Sequence, residues 1–279
     1  MKKTLKQLMR NFAFTSGLVL TVTLVVVALA APLIAPADPF AQDTARRLEA
    51  PSDEHLLGLD DLGRDVFSRI VWGSRVSLRV GFSVVIIASL IGVTLGAISG
   101  YFGGAIDVLV MRICDILLAF PGILLAIALV AVLGPSLNNV ILALATIGWV
   151  GYARLVRGQV LKVREMEFVT AAKALGARSP RVIIRHVLPN VINPVIVMAT
   201  LGLAGAILSE AALSFLGLGV QPPTPSWGAM LTAGRRYLGL ANHLAVFPGI
   251  AIMLAVMGLN FLGDGLIDAL DPKYRKQIS

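Results

Sequence analysis

The sequence has few charged residues and a single cysteine. Both features limit the classes of protein to which the chain can belong. Charged residues are 14% of the 279 residues, against about 25% in soluble domains. Hydrophobic residues are 57% and the mean hydropathy is +0.83, which excludes a disordered chain, a collagen-like chain and an ordinary cytosolic enzyme. Cys114 alone permits neither an internal disulfide nor a thiolate metal site. The low share of charged residues and the high mean hydropathy indicate an integral membrane protein.

Motifs for nucleotide binding, metal binding and hydrolysis are also missing. The sequence has no Gly-Lys dipeptide and therefore no Walker A loop. His55, His186 and His243 lie in three separate segments, without metal-ligand spacing. We therefore expect a non-catalytic chain that binds no metal and no cofactor. The net charge of +8 is divided among short segments between apolar runs, which indicates membrane orientation rather than a nucleic-acid partner.

Six apolar stretches are long enough to cross a bilayer, which takes about 20 residues of helix. They lack the alternation of membrane β-strands. The predicted fold is all-α, a polytopic membrane bundle of six transmembrane helices. The predicted spans are Ala13–Ile34, Leu78–Gly100, Val108–Leu133, Leu137–Val156, Pro194–Leu216 and Leu244–Leu266.

The distribution of Lys and Arg predicts that both termini are cytoplasmic. The N-terminal tail, residues 154–189 and the C-terminal tail together carry fifteen of the 24 cations. Residues 36–72, which we call the outer segment, instead hold eight acids and four bases. The run Ala28-Leu29-Ala30 imitates a signal-peptide cleavage site, but the apolar stretch before it exceeds the roughly 7–15 residues of a cleaved signal. We expect an uncleaved first helix.

Glycine recurs every four residues at Gly92, Gly96, Gly100 and Gly104. Small residues at this spacing let helix backbones approach closely in lipid. We interpret the glycines as packing within the chain, with a contact between subunits as the alternative. Pro121 interrupts the third stretch and predicts a kink that frees a carbonyl. We interpret this kink as structural, with pore lining as the alternative.

Three ionisable residues, Arg112, Asp115 and Glu210, lie inside the apolar stretches. Such residues are functional candidates because charge is costly in a bilayer. Arg112 and Asp115 are three residues apart and share a helix face, which predicts a structural pair. Glu210 lies about 24 Å along the fifth stretch at 1.5 Å per residue. Its position near the far end of the stretch argues against a role in a proton relay. A proton relay stays the alternative interpretation.

A short amphipathic helix is predicted between the fourth and fifth stretches. Its apolar residues share the spacing i, i+3, i+4 and i+7 of one helical stripe: Phe168, Ala171, Ala172 and Leu175. Gly176 suits the positive φ of a residue just after a helix. Ser179 and Pro180 predict the N-cap and first residue of a second short helix that Pro189 ends. One aromatic and two alanines anchor poorly in lipid, so we predict a protein-docking helix, with a helix lying on anionic lipid as the alternative.

Several motifs in this order resemble one family. Residues 170–176, Thr-Ala-Ala-Lys-Ala-Leu-Gly, followed by Leu188-Pro189, resemble the EAA loop of binding-protein-dependent ABC importer permeases. Thr170 stands where that loop has its Glu, and His186 where it has Ile. Three further segments are similar to the dipeptide/oligopeptide/nickel subfamily, second-subunit type: residues 55–69, residues 213–219, and Gly263-Asp264-Gly265 through Asp271-Pro272.

The resemblance implies one N-terminal helix followed by a five-helix permease core over residues 78–266. Residues 1–77 would hold the N-terminal cytoplasmic tail, the first helix and the outer segment. Residues 78–279 would hold the core, a cytoplasmic coupling loop at 157–189 and the C-terminal tail.

The resemblance also implies partners in the cytoplasmic (inner) membrane. They are a related permease forming a heterodimer, two cytoplasmic ATPases that use ATP, and an extracytoplasmic solute-binding protein. In this reading the docking helix enters an ATPase cleft through Phe168, Ala171, Ala172, Leu175 and Gly176.

The outer segment admits two interpretations. Asp60, Asp61, Arg64 and Asp65, with Arg69, alternate in sign at helical distances and can form an ion network. The first four are candidates for contact with the binding protein or the partner permease, and a solvated loop is the alternative.

The expected function is a permease subunit that forms half of the path for di- or oligopeptides. Nickel or a metal chelate is the second choice of solute. A secondary transporter working alone would need acids near mid-membrane and repeated halves, and a membrane scaffold would need an appended soluble domain. We see none of these features in the sequence.

Overall fold

The computed structural model describes residues 11–270, which form a bundle of helices with no strand among them. The helices run, in chain order, over Phe12–Leu29 (α1), Ala31–Ile34 (α2), Val66–Phe102 (α3), Gly104–Leu118 (α4), Gly122–Leu133 (α5), Leu137–Val163 (α6), Glu167–Ala174 (α7), Ser179–Val182 (α8), Leu188–Phe215 (α9), Trp227–Arg235 (α10) and His243–Leu270 (α11). A 3₁₀ turn covers Thr44–Arg46, and a π-helical turn, Ile183–Val187, joins α8 to α9.

Five of these helical runs are long and apolar enough to span a membrane, and α4 with α5 makes a sixth if the bent pair counts as one span. The all-α bundle predicted from the sequence is confirmed. The third stretch is not one kinked helix, however, because α4 and α5 meet at an angle of 86°. Pro121 lies at the break and lacks the N–H that would continue the helical hydrogen bonds.

The helices extend beyond the predicted apolar spans where polar residues belong to them. Helix α3 begins at Val66, well before Leu78, because Asp65 caps it and its polar first turns are buried against the outer segment. Helix α6 continues to Val163, past Val156. The helical run that contains the fifth span starts at Ser179, before Pro194.

Pro189 does not end a helix, contrary to the sequence prediction. It lies in the first turn of α9, directly after the π-helical turn. Pro189 has no N–H and therefore cannot make the i→i−4 hydrogen bond of an α-helix. The π-helical turn before it accommodates this missing bond. The residue before α8 is Arg178, so Ser179 is the first helical residue rather than the N-cap.

Helices α3 and α6 pack at backbone distance through the predicted glycines. A Cβ added at Gly92 would lie 2.5 Å from the Trp149 carbonyl oxygen, and one added at Gly96 would overlap the Ala153 backbone. The interpretation as packing within the chain is therefore confirmed for these glycines, and for Gly100, which lies against α6 in the same way. Gly104 is different: it starts α4 with φ +57 and has open space beside it.

The first helix packs on the last through glycine at three levels. A Cβ at Gly17 would lie 2.2 Å from the Leu262 backbone nitrogen. A Cβ at Gly258 would lie 2.7 Å from Leu20, and one at Gly265 would lie 2.5 Å from Phe14. The amide of Asn11 donates to Asp268 at 2.8 Å beside this contact. The basic residues of both tails, Lys2, Lys3, Lys6, Arg10, Lys273, Arg275 and Lys276, and the motif end Asp271-Pro272, lie outside the described residues.

Candidate coupling surface and outer ion network

Helix α7 is one of the most exposed helices of the chain. The predicted stripe splits between two faces. Phe168 is 41% exposed, Leu175 is 89% exposed, and Ala171 and Gly176 are exposed beside them. We call these four residues the α7 outward face. Their exposure leaves an apolar surface without a partner inside the described chain.

Ala172 is not exposed with these four residues, although the sequence places it in the same stripe. It is 9% exposed, and Val169, three residues before it, lies in an apolar cluster that includes Val163, Val182 and Val187. The spacing of apolar residues marks one stripe, but Val169, which lies outside the stripe, packs inward three residues before Ala172. Because Val169 and Ala172 occupy the inner side, the stripe's remaining members are turned outward.

The end of α7 is built as the sequence predicts. Gly176 has φ +81, a conformation that glycine adopts without a Cβ penalty. Its N–H donates to the Lys173 carbonyl at 2.9 Å, and the Ala177 N–H donates to the Ala172 carbonyl at 3.0 Å. These two bonds form a Schellman motif. The motif fixes the direction in which the chain leaves α7.

Two cationic contacts join the coupling loop to the end of α3. The ammonium of Lys173 lies 5.1 Å from the centre of the Tyr101 ring, a cation–π distance. Arg164 donates to the Gly100 carbonyl at 2.9 Å. The loop is therefore attached to α3 as well as to the two helices that it connects.

Two more ion pairs attach α4 to α6 near the same end. Asp107 accepts two hydrogen bonds from Arg157, at 2.5 and 2.6 Å, and one from Ser99 at 2.5 Å. Asp115 pairs with Arg154. The partners are 50 and 39 residues apart in sequence, so local spacing gave no sign of them.

The predicted Arg112–Asp115 pair is therefore wrong. Asp115 pairs with Arg154 of α6, and Arg112 is exposed without a hydrogen bond or ion pair to any residue between 11 and 270. Sharing a helix face is not sufficient for pairing when the neighbouring helix presents a second arginine. Glu210, the third intramembrane candidate, is fully buried, and Ser214 donates to its Oε1 at 2.7 Å.

At the opposite end of the bundle, the outer segment folds around an ion network. Asp60 accepts from the backbone N–H groups of Leu62 and Arg64 at 2.9 and 3.0 Å, and from the Arg64 guanidinium at 2.7 Å. Arg69 lies 3.4 Å from the same carboxylate and donates to the Pro39 carbonyl at 2.9 Å. The expected ion network is present, and Asp60, Arg64 and Arg69 are each at most 8% exposed.

Asp65 joins this network to the bundle. Its carboxylate accepts from the Ser68 N–H at 2.7 Å, which caps α3, and lies 3.0 Å from the His55 ring. Ser68 in turn accepts from the Ala37 N–H at 3.2 Å. Asp60, Arg64 and Asp65 are buried and Asp61 is partly exposed, and the contact of these four residues with another subunit stays a prediction.

A second ion cluster lies on the surface of the outer segment. Arg46 donates to Glu49 at 2.7 and 2.9 Å and to Glu54 at 3.0 Å. These hydrogen bonds hold the pKa of Glu49 and the pKa of Glu54 below the usual glutamate value. Among residues 11–270, no group of three or more His, Cys, Asp or Glu side chains is placed to hold a metal ion.

Comparison with known proteins places this architecture in a transporter family. The model of the binding-protein-dependent transport system inner membrane component matches residues 92–276. The model of the N-terminal transmembrane domain of oligopeptide transport permease C matches residues 1–51. Both matches are consistent with the predicted second-subunit type.

Curated relatives cover nearly the whole chain. The dipeptide transport system permease protein DppC of Alkalihalophilus pseudofirmus is 50% identical over 274 residues, which are 98% of this chain and 90% of that protein. The glutathione transport system permease protein GsiD of Escherichia coli is 47% identical over 269 residues, with coverage of 95% and 88%. The corresponding protein of Pectobacterium atrosepticum is 47% identical over 233 residues, with coverage of 84% and 77%.

A solved structure shows the same fold at low sequence identity. It is a chain of the MetNI methionine ABC transporter in an inward-facing conformation, with a TM-score of 0.59 and 19% identity, covering 73% of this chain and 96% of that chain. The family match favours the permease subunit over the two alternatives, a stand-alone carrier and a membrane scaffold. The chain belongs to the family of binding-protein-dependent transport system inner membrane components, as a multi-pass permease subunit of the peptide/nickel ABC importer subfamily.

Proposed function

We propose that this chain couples ATP hydrolysis by separate cytoplasmic ATPases to the import of short peptides, with no catalytic step of its own. The observation that carries this proposal is the α7 outward face, Phe168, Ala171, Leu175 and Gly176. An apolar helix face without a partner is typical of a docking site. Small residues at Ala171 and Gly176 let a cleft approach the helix closely.

Three connections can transmit a movement of α7 to the rest of the bundle. Val169 belongs to the apolar cluster that contains residues of α6 and α9. Lys173 and Arg164 hold the end of α3. The helical run from Ser179 to Phe215 continues across the bundle to the outer end. Because packed helices move as bodies, movement of α7 is transmitted toward the outer end.

The proposed assembly contains two ATPases, a related permease as heterodimer partner and an extracytoplasmic solute-binding protein. Both termini and the coupling loop lie in the cytoplasm, in agreement with the positive-inside rule. The names of the relatives favour peptides over nickel, since they refer to dipeptide and glutathione transport. The division into residues 1–77 and 78–279 stays a prediction.

The test is the substitution Leu175→Arg in the complete transporter. Leu175 is 89% exposed, so the fold should tolerate the change, whereas a charge in an apolar docking cleft should not be tolerated. We expect the ATPases to be lost on co-purification and solute uptake to fall at least about tenfold, the ratio that corresponds to about 1.4 kcal/mol.

Leu240→Arg is the matched control. Leu240 is also highly exposed, at 76%, but it lies in the connection between α10 and α11 at the other end of the bundle. Its substitution should leave ATPase co-purification unchanged. Retention of the ATPases in Leu175→Arg, or equal loss in both variants, would contradict the proposal.

A further inference from the structure

A cavity of about 320 Å³ lies between the outer segment and the residues around α10. Its wall includes the ion network residues Asp60, Arg64 and Arg69, together with Asp61, Thr232 and Arg236. Arg64 and Arg69 are buried, whereas Arg236 is exposed. The cavity therefore opens to the surface beside Arg236 and reaches inward to two buried guanidinium groups. Its volume lies at the lower end of small-molecule sites, about 300–1,000 Å³.

The charges around this cavity do not balance. Three arginines face two aspartates. Both oxygens of Asp60 are engaged by Arg64, Arg69 and backbone N–H groups, and Asp61 lies 3.6 Å from Arg64. Arg236 forms no ion pair with any described residue. One positive charge is left without a counterpart.

Hydrogen-bond donors are left over as well. Arg64 uses Nε for Asp60, and Arg69 uses Nη1 for the Pro39 carbonyl. A guanidinium has five N–H donors, so several on these two residues remain without an acceptor among residues 11–270. The nitrogen atoms of Arg64 and Arg69 are not among the buried side-chain atoms that lack a hydrogen-bond partner, so their remaining donors are accessible to solvent or to a bound molecule. An acceptor with negative charge that enters the cavity would satisfy both the donors and the charge.

We propose that this cavity binds the carboxylate of a small amino-acid-derived solute at the outer end of the permease. Arginine guanidinium groups match a carboxylate in planar, bidentate geometry. Arg236 contacts the solute at the mouth, and the free donors of Arg64 and Arg69 hold its carboxylate inside. This inference deepens the proposed function, on which it rests, by assigning the part of a peptide that the permease recognises.

The experiment uses the full-length chain assembled with its partner subunits in lipid nanodiscs. Binding of the dipeptide Ala-Ala is compared by calorimetry with binding of Ala-Ala amide, which lacks the carboxylate charge. We expect the amide to bind at least about tenfold more weakly, since charge-assisted hydrogen bonds to arginine are lost. Arg236→Ala should weaken Ala-Ala binding by a similar factor.

Two further variants separate this site from general charge effects. Arg235→Ala removes the neighbouring exposed arginine, which stacks on Phe215 at 4.7 Å and does not line the cavity, and should change the affinity less than about twofold. Asp61→Asn removes a competing carboxylate and should tighten Ala-Ala binding by about two- to fivefold. A gain of affinity cannot result from misfolding.

The outcomes distinguish this inference from the proposed function. Equal binding of Ala-Ala and its amide, or equal losses in Arg235→Ala and Arg236→Ala, would overturn the carboxylate site while leaving ATP-driven uptake intact. Failure of Ala-Ala to bind, with Arg236→Ala weakening attachment of the solute-binding protein instead, would also overturn it, because the cavity would then take a protein carboxylate. Absence of ATP-driven peptide uptake in the wild-type assembly would overturn the proposed function.

Discussion

The two ends of the bundle use hydrophilic segments in opposite ways. At the outer end, Asp60, Arg64 and Arg69 are turned inward, and their charges hold the segment together. At the α7 end, Phe168 and Leu175 are turned outward, while Val169 and the contact of Lys173 with Tyr101 hold α7 in place. A buried network stabilises its own chain, whereas an exposed apolar face is available to another chain. Substitutions in the ion network should therefore lower stability, and substitutions on the α7 outward face should lower function.

The largest expected effect on stability comes from Asp60→Ala. The change leaves Arg64 and Arg69 buried without their shared carboxylate, and removing one partner of a buried ion pair costs about 3–5 kcal/mol. The free energy of unfolding, measured by denaturant titration in mixed micelles, should fall by that amount. Asp61→Ala is the control: Asp61 is partly exposed and 3.6 Å from Arg64, and its loss should cost about 1 kcal/mol or less. Similar losses in both variants would show that the network does not stabilise the segment.

Asp65→Ala should have the second largest effect. It removes the cap of α3 at Ser68 and the contact with His55, and loss of an N-cap costs about 0.5–2 kcal/mol. Asp65→Asn keeps a capping oxygen and should retain most of the stability in the same unfolding titration. If Asp65→Asn lowers the free energy of unfolding as much as Asp65→Ala, the charge of Asp65 contributes more to stability than its capping hydrogen bond.

Gly176→Ala tests the α7 end of the bundle, with a smaller effect on stability. No atom lies within 4 Å of the added Cβ, but φ is +81, and the left-handed conformation costs an L-residue about 1–2 kcal/mol. We expect a loss in that range in the unfolding titration, together with weaker ATPase co-purification, because the direction of the chain after α7 changes. Gly158→Ala is the control, since Gly158 also has open space but lies inside α6. An unchanged Gly176→Ala complex would show that the Schellman motif is dispensable for coupling.

The smallest effect concerns the surface cluster of the outer segment. Arg46 lowers the pKa of Glu49 and of Glu54, so both carboxylates favour folding at pH values above the usual glutamate pKa. That contribution is lost as the pH falls through their lowered pKa values. Arg46→Ala should raise both pKa values in a carboxyl NMR titration, whereas Arg47→Ala, which removes an exposed cation beside it, should change them less. Equal shifts in the two variants would indicate a general charge effect.

Features that depend on a few neighbouring residues could be predicted from the sequence. Gly176 follows the last turn of α7 with positive φ as expected, because a glycine after an apolar stripe is a local signal. The close approach of α3 to α6 at Gly92 and Gly96 was also predictable, since small residues at a spacing of four have one common use in lipid helices.

Features that depend on the rest of the fold could not be predicted. The first turns of α3 look hydrophilic, yet Ser68 and Ser74 are buried against other segments. Arg112 lies three residues from Asp115 in sequence, but Asp115 pairs with Arg154 on another helix. Ala172 is buried on the same side of α7 as Val169, which a count of apolar positions does not show.

The most direct test of the coupling mechanism is photo-crosslinking from α7 in the complete transporter. A photoreactive amino acid is placed at position 175, where the native side chain is 89% exposed, or at position 172, where it is 9% exposed. The account predicts that position 175 crosslinks to an ATPase subunit and that position 172 crosslinks only within the permease. An ATPase crosslink from position 172 alone, or none from position 175, would contradict it.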